Sequence, residues 1–600
     1  MLCLNNFIVL GVANDNYVDL NTIRKVLEST GFKVKEIDLT SFKVIIAFQN
    51  ENCTIINENI IIALHGIFLD ETLHSLLNKV TSNFKGFLEA YRHQGSLAII
   101  DKQESVVYVV EDPGATRTIF YFTTWNLFII STDMELLKNT AEALGIRFEP
   151  DILALYEILM LGSLVSRKTI YNNVNRLLPG EYIVVKLDSD THTYNYNIDK
   201  YWDVTQLDSK TDGSKKTLYL LVKTLISLLN TYCKEAQDSK LVVPISGGID
   251  SSLLLFLTTK AKECKHVQAI HINLNNSLEL LLSRIVALKA KTPLHIEAFP
   301  EQKLRKSYFE LLRKMLRIIG YPREGDAALP YLILAQTIKS MFGEKRVFSL
   351  GGEGSDPIFG GSDYYKFFAT QLILEKRIAE FLKLMKTIVR YNFEREKTIL
   401  MVLKPILQLI LRSYRIRYIY FKLKSRKLLL KKNRRLNNLI AQYFAQLSGV
   451  LYNGSLLNYY RRSVARMLIH KISHVIHTRV KAEESQGNII FLPFASRDVI
   501  EISMMMSPEY YFFPVGSRSI LRLLLKYFGA PSAVYLQFKS GFSATSRILK
   551  VPSILSYMKA FIEKCWVHKY VAIHNLNKYE AHNMFNVCIS TENKVNKHET

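Results

Sequence analysis

The sequence predicts an α/β protein of several domains, with a β-rich N-terminal part and a doubly wound parallel sheet in its C-terminal part. Residues 1–200 contain short β-branched or aromatic runs separated by turn residues, which is typical of strands. From residue 218 onward strands alternate with helices, and this alternation favours a parallel sheet with helices on both faces. The length of 600 residues also exceeds the usual size of a single hydrophobic core.

The N-terminal strands are expected to be short. They cover residues 7–12, 44–48, 60–64, 97–101, 106–110 and 127–131. A helix is expected over residues 149–161, and a Pro-Gly turn at residues 179–180 leads into a further strand. Residues 205–216 are polar and rich in Asp, Ser and Lys, so they predict a linker between a first domain, residues 1–204, and a second, residues 217–575.

The second domain opens with a strand over residues 241–245 and the motif Ser246-Gly247-Gly248-Ile249-Asp250-Ser251-Ser252. The two glycines let the backbone approach a ligand closely, and the apolar run that follows predicts the start of a helix. A strand, a glycine-rich turn and a helix N-terminus together present free backbone N–H groups to an anion. An acidic side chain beside a phosphate site usually holds Mg²⁺. The motif is not a Walker P-loop, because it has neither the lysine nor the spacing.

The rest of the second domain continues this pattern. Further strands are expected over residues 267–274, 294–298 and 346–350, and the last of these leads into a second glycine-rich turn. Residues 366–530 are expected to be mostly helical, with a basic helical insertion at about 365–445. Residues 576–600 are expected to form a polar tail.

The net charge of +24 predicts a negatively charged partner. Much of this charge is local, since eleven Lys and Arg and no acid lie between Arg412 and Arg435, with aromatic side chains among them. A solvated helical face, a docking site for an acidic peptide and a peripheral membrane contact all fit this segment. Charge alone is weak support for nucleic acid binding. No apolar run reaches the ~20 residues that a membrane span requires.

The six cysteines are scattered along the chain, and none forms a Cys-x-x-Cys pair. This pattern indicates neither a zinc site nor a disulfide framework. The N-terminus has no basic region ahead of an apolar core, so it does not resemble a signal peptide. Together these features predict a cytoplasmic protein.

Five motifs resemble those of the glutamine-hydrolysing asparagine synthetases and their relatives, the β-lactam synthetases and the lasso-peptide macrolactam cyclases. They are the loop at residues 246–252, Ser349-Leu-Gly-Gly-Glu-Gly-Ser-Asp-Pro-Ile-Phe-Gly-Gly361, Phe538-Lys-Ser-Gly-Phe542 with Arg518 and Arg522 upstream, Leu492-Pro-Phe-Ala-Ser-Arg-Asp498, and Glu111-Asp-Pro-Gly-Ala-Thr-Arg-Thr-Ile-Phe-Tyr121. The resemblance covers most of the chain except about 365–445 and the last 30 residues. It implies an N-terminal glutaminase-like sandwich domain of the Ntn type and a C-terminal ATP-pyrophosphatase domain of the PP-loop type.

In these relatives ATP activates a carboxylate as an acyl adenylate, and an amine then displaces AMP. The resemblance implies that ATP contacts Ser246, Gly247, Gly248, Asp250, Ser251, Ser252 and Gly352, and that Asp250 and Asp356 hold Mg²⁺. It gives Lys539 the role of stabilising the adenylation transition state, and Glu353 that of removing a proton from the amine. One departure from the family is that Pro357 replaces the second acid of an Asp-Glu pair.

The N-terminal domain departs further from the family. Glutaminase-competent relatives begin Met-Cys-Gly, so that removal of the methionine gives the nucleophilic cysteine a free α-amine. Here Cys3 follows Leu2, which is too large for ordinary removal of the initiator, and the family's Asn-Gly-Glu-Ile motif corresponds to Leu64-His-Gly-Ile-Phe68. Both departures predict a domain that keeps the glutaminase fold without the activity.

A ligase without glutaminase activity needs another source of the amine. In lasso cyclases and β-lactam synthetases the amine belongs to the same substrate as the carboxylate. The sequence therefore favours a macrolactam cyclase that acts on a peptide or other secondary metabolite, with a precursor peptide and its leader-processing proteins as partners. Asparagine synthetase proper, which uses ammonia or glutamine, is one alternative. A catalytically inactive ATP-binding or regulatory protein is another.

Overall fold

The computed structural model describes residues 1–12, 20–39, 42–188, 193–207, 215–236, 239–274, 276–320, 328–343, 345–361, 364–391, 405–407, 410–411, 413–428, 434–452, 459–536 and 552–591. The predicted motif around Lys539 lies outside these residues, as does most of the predicted linker. Within them, no helix combines the length and the apolar character that crossing a bilayer requires.

The strands are numbered in chain order. They are β1 Leu2–Cys3, β2 Phe7–Val12, β3 Lys33–Leu39, β4 Phe42–Phe48, β5 Thr54–Ile56, β6 Ile60–Ile67, β7 Gln94–Asp101, β8 Val106–Val110, β9 Phe120–Thr123, β10 Leu127–Ser131, β11 Val174–Arg176, β12 Glu181–Asp188, β13 Thr193–Lys200, β14 Lys240–Pro244, β15 Val267–Asn273, β16 Leu294–Ala298, β17 Val347–Leu350 and β18 Ile489–Phe491. All six strands predicted for the N-terminal part are confirmed, with β4, β6 and β7 longer than expected.

The N-terminal domain is a sandwich of two antiparallel sheets. One sheet runs in the order β1-β6-β7-β8-β12-β13 with β5 beside β6, and the other in the order β11-β9-β10-β2-β4-β3. Alternate residues of both sheets point into a shared core, to which β2 gives Phe7 and Val9 and β6 gives Ile61 and Ala63. The β-rich sandwich that the sequence predicts is therefore confirmed.

The C-terminal domain contains a parallel sheet in the order β16-β15-β14-β17-β18. The chain moves outward from β14 to β15 and β16, and then returns to the other side of β14 with β17. Helices cover both faces, because Leu253 and Leu254 pack on one side while Leu334 and Ile338 pack with Val242 on the other. In such sheets the carboxyl ends of the two strands at the reversal border a crevice, here between β14 and β17.

The helices connect and cover these sheets. Those of the first domain are Leu20–Ser29, Leu73–Ser82, Phe84–Glu89, Met134–Ala143 and Ile152–Leu161. Those of the second are Lys215–Glu235, Ile249–Lys260, Ser277–Lys289, Glu301–Ile319, Ala328–Phe342, Ser355–Ile358, Tyr365–Leu374, Ile378–Tyr391, Tyr414–Leu428, Arg434–Tyr452, Tyr459–Met467, Ser473–Glu484, Arg497–Met505, Glu509–Phe512, Ser519–Tyr527, Ser532–Tyr535, Pro552–Lys564 and Lys578–Thr591. The helix expected at residues 149–161 begins at Ile152, because the Asp151 carboxylate accepts a hydrogen bond from the Ala154 backbone N–H at 3.0 Å and caps it.

The expected polar tail is wrong over most of its length. Residues Lys578–Thr591 form a helix whose members from Ala581 to Ile589 are buried. The polar side chains that suggested a solvated tail include His582, Asn583 and Asn586, and these are buried as well. The apolar side chains between them pack into the large core of the molecule.

The expectation of no disulfide framework is also wrong. Cys233 and Cys264 form one disulfide and Cys565 and Cys588 another, across sequence separations of 31 and 23 residues. Short-range cysteine spacing does not reveal such pairs, because each joins two segments that meet only in the folded chain. Cys3 and Cys53 are free and buried.

The two domains share a closely packed interface. The Gln94 side chain donates to the Leu492 carbonyl at 2.6 Å and accepts from the Leu492 backbone N–H at 3.1 Å. A side chain at Gly114 would lie 2.6 Å from the carbonyl oxygen of Ala495, so only glycine fits there. Two of the family-like motifs, at residues 111–121 and 492–498, thus meet across the interface.

Candidate active site

The loop that follows β14 is shaped by its glycines. Gly247 has a φ of +71°, and an added Cβ would lie 2.5 Å from the Leu282 Cβ. Glycine is therefore required there for both conformation and space. The Gly248 backbone N–H donates to the Ser246 hydroxyl at 3.3 Å, and the Ser246 backbone N–H donates to the Ser251 hydroxyl at 3.3 Å. These bonds hold the loop in a compact turn around the N-terminus of the helix Ile249–Lys260.

Gly248 is the N-cap of that helix, and it provides no side-chain hydrogen bond to the first turn. Its opening N–H groups and its positive dipole end therefore face the crevice beside β17. The predicted phosphate-binding residues Ser246, Gly247, Gly248, Asp250, Ser251 and Ser252 all belong to this one turn. Ser252 is fully buried under the turn, whereas Ser251 is partly exposed, so Ser251 is the better placed of the two to contact a ligand.

The second glycine-rich loop follows β17 and lies against the first. An added Cβ at Gly352 would lie 3.4 Å from the Asp250 Cβ and 3.5 Å from the Ser251 backbone nitrogen. Gly354 has a φ of +93° and starts the short helix Ser355–Ile358, which carries Asp356. The two motifs are about a hundred residues apart in sequence, and the parallel sheet places them side by side at the carboxyl ends of neighbouring strands.

Arg518 joins the two carboxylates that the family resemblance assigns to Mg²⁺. Its guanidinium donates to Asp250 through Nη1, and its Nη2 lies 3.0 Å from the Asp356 Oδ1. Burial alone lowers the pKa of the Arg518 guanidinium, but Asp250 and Asp356 outweigh burial and raise it. Asp250 and Asp356 thus lie on either side of one guanidinium. The sequence marked Arg518 only as lying upstream of a motif.

Carboxylate oxygens are the ligands that Mg²⁺ prefers, and Asp250 and Asp356 keep part of their surface exposed to the crevice. Two carboxylates cannot complete an octahedral shell, so the chemistry of the donor set fits a cation that shares them with phosphate oxygens. Among the described residues no group of three or more His, Cys, Asp or Glu side chains forms a metal site by itself.

The carboxylate of Glu353, the predicted general base, lies beside the buried guanidinium of Arg479. The Arg479 Nε lies 3.5 Å from the Glu353 Oε1, and its Nη2 lies 2.8 Å from the Glu483 Oε1. The Arg479 guanidinium also stacks over the Tyr331 ring at 5.2 Å. An added Cβ at Gly351 would lie 2.3 Å from the Glu353 Oε2, so glycine at 351 makes room for this carboxylate.

Arg479 was not predicted, because it belongs to none of the five motifs. It lies on the helix Ser473–Glu484, 126 residues after Glu353 and beyond the basic insertion. Burial alone lowers the pKa of Arg479, while Glu483 and Glu353 raise it overall. The only sequence signal was a pair of opposite charges, Arg479 and Glu483, at the i,i+4 spacing of a helix.

The N-terminal domain places Cys3 in a buried strand. Cys3 pairs with Gly66 between β1 and β6, and its hydrogen bond with Cys53, together with burial, raises the pKa of its thiol. The Met1 ammonium donates to the Phe68 carbonyl at 2.8 Å and lies 3.2 Å from the Glu235 carboxylate of the second domain.

Residues 64–68, which the family resemblance matches to the Asn-Gly-Glu-Ile motif, contact the second domain. The His65 Nε2 lies 3.2 Å from the Glu484 Oε2, and the Arg117 Nη2 lies 2.7 Å from the Glu484 Oε1. Arg117 is fully buried. The Arg117–Glu484 ion pair and the His65–Glu484 contact thus cross the domain interface in this region.

Comparison with known proteins gives one match to a family. The model of the asparagine synthase family matches residues 234–564. No curated protein matches the sequence.

Several solved structures show a weak likeness to the chain. An allosteric regulatory enzyme of purine biosynthesis is 9% identical, with a TM-score of 0.23, over 48% of this chain and 80% of that one. The glutamine phosphoribosylpyrophosphate amidotransferase of B. subtilis is 10% identical, with a TM-score of 0.21, over 59% and 77%. A glutamine-dependent NAD⁺ synthetase from Acinetobacter baumannii is 13% identical, with a TM-score of 0.19, over 49% and 61%.

Proposed function

Because this chain belongs to the asparagine synthase family, whose model matches residues 234–564 of its 600, we propose that it is an ATP-dependent ligase that joins a carboxylate to an amine. A carboxylate oxygen of the substrate attacks the α-phosphorus of ATP, and pyrophosphate leaves. The amine then attacks the acyl carbon of the adenylate, AMP leaves with the electrons of the broken C–O bond, and the amine gives up a proton.

The contact between the two glycine-rich loops is the observation that carries this proposal. Gly352 lies against Asp250 and Ser251 at the reversal point of the sheet, where α/β proteins bind their ligands. The turn 246–251 offers backbone N–H groups and hydroxyls to the pyrophosphate end of ATP. Glu353 follows Gly352 in this second loop, so the group that would receive the amine's proton is one residue from the contact with the phosphate turn.

The charged residues divide this work. Asp250 and Asp356 would hold Mg²⁺, which would offset phosphate charge when bound. Arg518 offsets part of the charge of these two acids, and its guanidinium would be available to the leaving pyrophosphate. Lys539, outside the described residues, keeps the role that the family resemblance gives it, at the α-phosphate.

For the substrate we propose a macrolactam-type cyclisation, in which the carboxylate and the amine belong to one peptide or secondary metabolite. The buried Cys3 and the Arg117–Glu484 ion pair support this choice, because both argue against a glutaminase centre in the N-terminal domain that would supply ammonia. Asparagine synthetase proper is the second candidate, and it would need free ammonia.

ATP–pyrophosphate exchange tests the proposal. The full chain would be assayed with L-aspartate and with peptides that carry a free N-terminus and an internal Asp or Glu. We expect exchange with a peptide and release of AMP. Asp250→Asn should lower exchange by at least about 10²-fold, because a charge-stabilising group is lost. The exposed Asp199→Asn should leave exchange unchanged.

The alternatives predict different results. Exchange with L-aspartate alone, followed by ammonia-dependent asparagine formation, would identify asparagine synthetase proper. Turnover that releases ADP would contradict adenylation. ATP binding without exchange on any carboxylate would favour the inactive regulatory protein.

A further inference from the structure

The helix Tyr414–Leu428 carries an apolar stripe on its exposed face. Ile416, Ile419, Tyr420 and Leu423 are 40%, 55%, 44% and 64% exposed. Their spacing of i, i+3, i+4 and i+7 places them in one row along the helix. A helix in a folded protein normally turns such a row toward the core, and this one turns it toward solvent.

The opposite face of the same helix already anchors it to the protein. Phe421 and Leu428 are buried in the large core together with Phe444 of the neighbouring helix. Arg417 is buried too, and its guanidinium donates to the Ala445 carbonyl at 2.9 Å and to the Leu411 carbonyl at 2.8 Å. The orientation of the helix is therefore set without any contribution from the apolar stripe.

Further exposed apolar side chains precede the stripe in the sequence. Ile406, Leu407, Ile410 and Tyr414 are each more than two-fifths exposed. Single exposed hydrophobic residues are common on protein surfaces, but a concentration of them in one segment marks an interaction site. This concentration lies in a part of the sequence that none of the five family-like motifs covers.

The charge around the stripe has one sign. Arg415 and Lys427 are exposed at its two ends, and Lys422 lies beside it with its ammonium 5.3 Å from the Tyr418 ring. No acidic residue occurs between Arg412 and Arg435. A partner must therefore be negatively charged where it meets the ends of the stripe and apolar where it meets the middle.

We propose that the apolar stripe docks this protein on an anionic membrane surface. The helix would lie in the plane of the interface, with Ile416, Ile419, Tyr420 and Leu423 among the acyl chains and Arg415 and Lys427 at the headgroups. A peptide made only of acidic and polar residues could satisfy the basic residues, but it would leave the apolar ones in water. A bilayer interface satisfies both, and it requires no spanning helix.

Vesicle co-sedimentation of the full chain tests this proposal. We expect binding to vesicles of phosphatidylcholine with phosphatidylglycerol, weakened by salt, and little binding to phosphatidylcholine alone. The double variant Ile419→Asp, Leu423→Asp should bind at least about tenfold more weakly, because it puts charge into the acyl region. Removing two charges with Arg415→Gln, Lys427→Gln should also weaken binding by about tenfold or more.

A matched control separates the stripe from general surface hydrophobicity. Leu382 is 61% exposed on the helix Ile378–Tyr391, so Leu382→Asp should bind vesicles like the wild type. All these positions are exposed, and circular dichroism should show unchanged folding. Vesicle binding that survives the stripe variant would overturn the proposal. Binding to poly-L-glutamate without binding to vesicles would overturn it too. The same holds if the stripe variant loses only self-association and still binds vesicles like the wild type.

Discussion

At the scale of single residues, the Glu353–Arg479 pair is the least expected feature of the candidate site. A general base works only if its carboxylate stays in place and ionised while the amine arrives. Arg479 is almost fully buried and is fixed by Glu483, which in turn accepts from the Asn488 amide at 2.7 Å. Arg479 would thus act through Glu353, by orienting it.

We predict that Arg479→Met lowers amide formation about tenfold and leaves ATP–pyrophosphate exchange intact. In a Glu353→Gln background the same change should cost little more, because residues that act through each other are not additive. Rates of exchange and of amide formation would be measured for the two single variants and the double variant. Arg479→Lys should restore part of the rate.

A second buried arginine provides the control for this cycle. Arg461 donates to the Met506 carbonyl at 2.9 Å and to the Met505 carbonyl at 3.3 Å, and neither methionine belongs to the proposed active site. Arg461→Met should lower thermal stability without separating the two partial reactions. If Arg479→Met lowered the rate of amide formation by the same factor in the wild type and in the Glu353→Gln variant, the orienting role of Arg479 would be contradicted.

We also predict that Cys3→Ala leaves ligation unchanged and that the wild type releases no glutamate from glutamine. A raised thiol pKa and burial in β1 both oppose nucleophilic attack by Cys3. A coupled glutamate assay would check this. Glutamine hydrolysis that disappears in Cys3→Ala would show that the thiol is a working nucleophile.

At the scale of elements, the sequence predicted what is local and missed what is distant. The two glycine-rich loops were found because a strand, a turn and a helix follow one another within a dozen residues. The bridge from Arg518 to Asp250 and Asp356 was not, because it joins segments 268 and 162 residues apart. The disulfides were missed for the same reason, because the two cysteines of each pair lie in different segments of the sequence. The helix Lys578–Thr591 was missed because its buried face contains polar side chains.

One of those polar side chains makes the helix Lys578–Thr591 sensitive to acid. Burial lowers the pKa of His582 to about 4, and the side chain lies beside Tyr308, with ring centres 6.2 Å apart. The folded state therefore favours the neutral ring. The unfolded chain takes up the proton at a pH near 6.5, so stability is complete above that pH and falls as the pH drops from about 6.5 to about 4.

We predict that His582→Gln removes part of this acid sensitivity, which by linkage is worth at most about 3 kcal/mol for this one group. Urea unfolding at pH 7.5, 6.0 and 5.0 would show a shallower decline than in the wild type. The exposed His574→Gln should keep the wild-type slope. Some decline should persist in both, since burial also lowers the pKa of His93 and of His470 to about 4.

At the scale of the whole molecule, the helix Ser473–Glu484 fastens the two domains together. Its Lys481 ammonium lies 3.2 Å from the Asp133 carboxylate, and its His477 ring accepts from the Thr118 backbone N–H at 3.2 Å. Burial alone raises the pKa of Glu484, but Arg117 and His65 outweigh burial and lower it. The carboxylate therefore stabilises the assembled chain above its unfolded pKa, and this contribution is lost as the pH falls.

We predict that Glu484→Gln destabilises the protein by about 3–5 kcal/mol at neutral pH, because it leaves the buried Arg117 without its counter-charge. Urea unfolding would measure the change. Glu36→Gln removes a carboxylate from an exposed pair with Arg24 and should cost less than about 1 kcal/mol. A loss at Glu484 no larger than at Glu36 would contradict the interface role.

Glu483 and Glu484 are neighbours in sequence but have partners in different places. Glu483 pairs with Arg479, which contacts Glu353, whereas Glu484 pairs with Arg117 of the N-terminal domain. A shortened gene that encoded only the second domain would keep the Glu484 anion and lose its Arg117 counter-charge. Because Glu483 precedes Glu484 directly, a shift of Glu484 would also move Glu483, which holds Arg479 beside Glu353. Selection for ligation would therefore be enough to preserve the N-terminal domain, whether or not that domain catalyses a reaction of its own. A gene fusion that replaced the N-terminal domain would also have to change the sequence of the helix Ser473–Glu484.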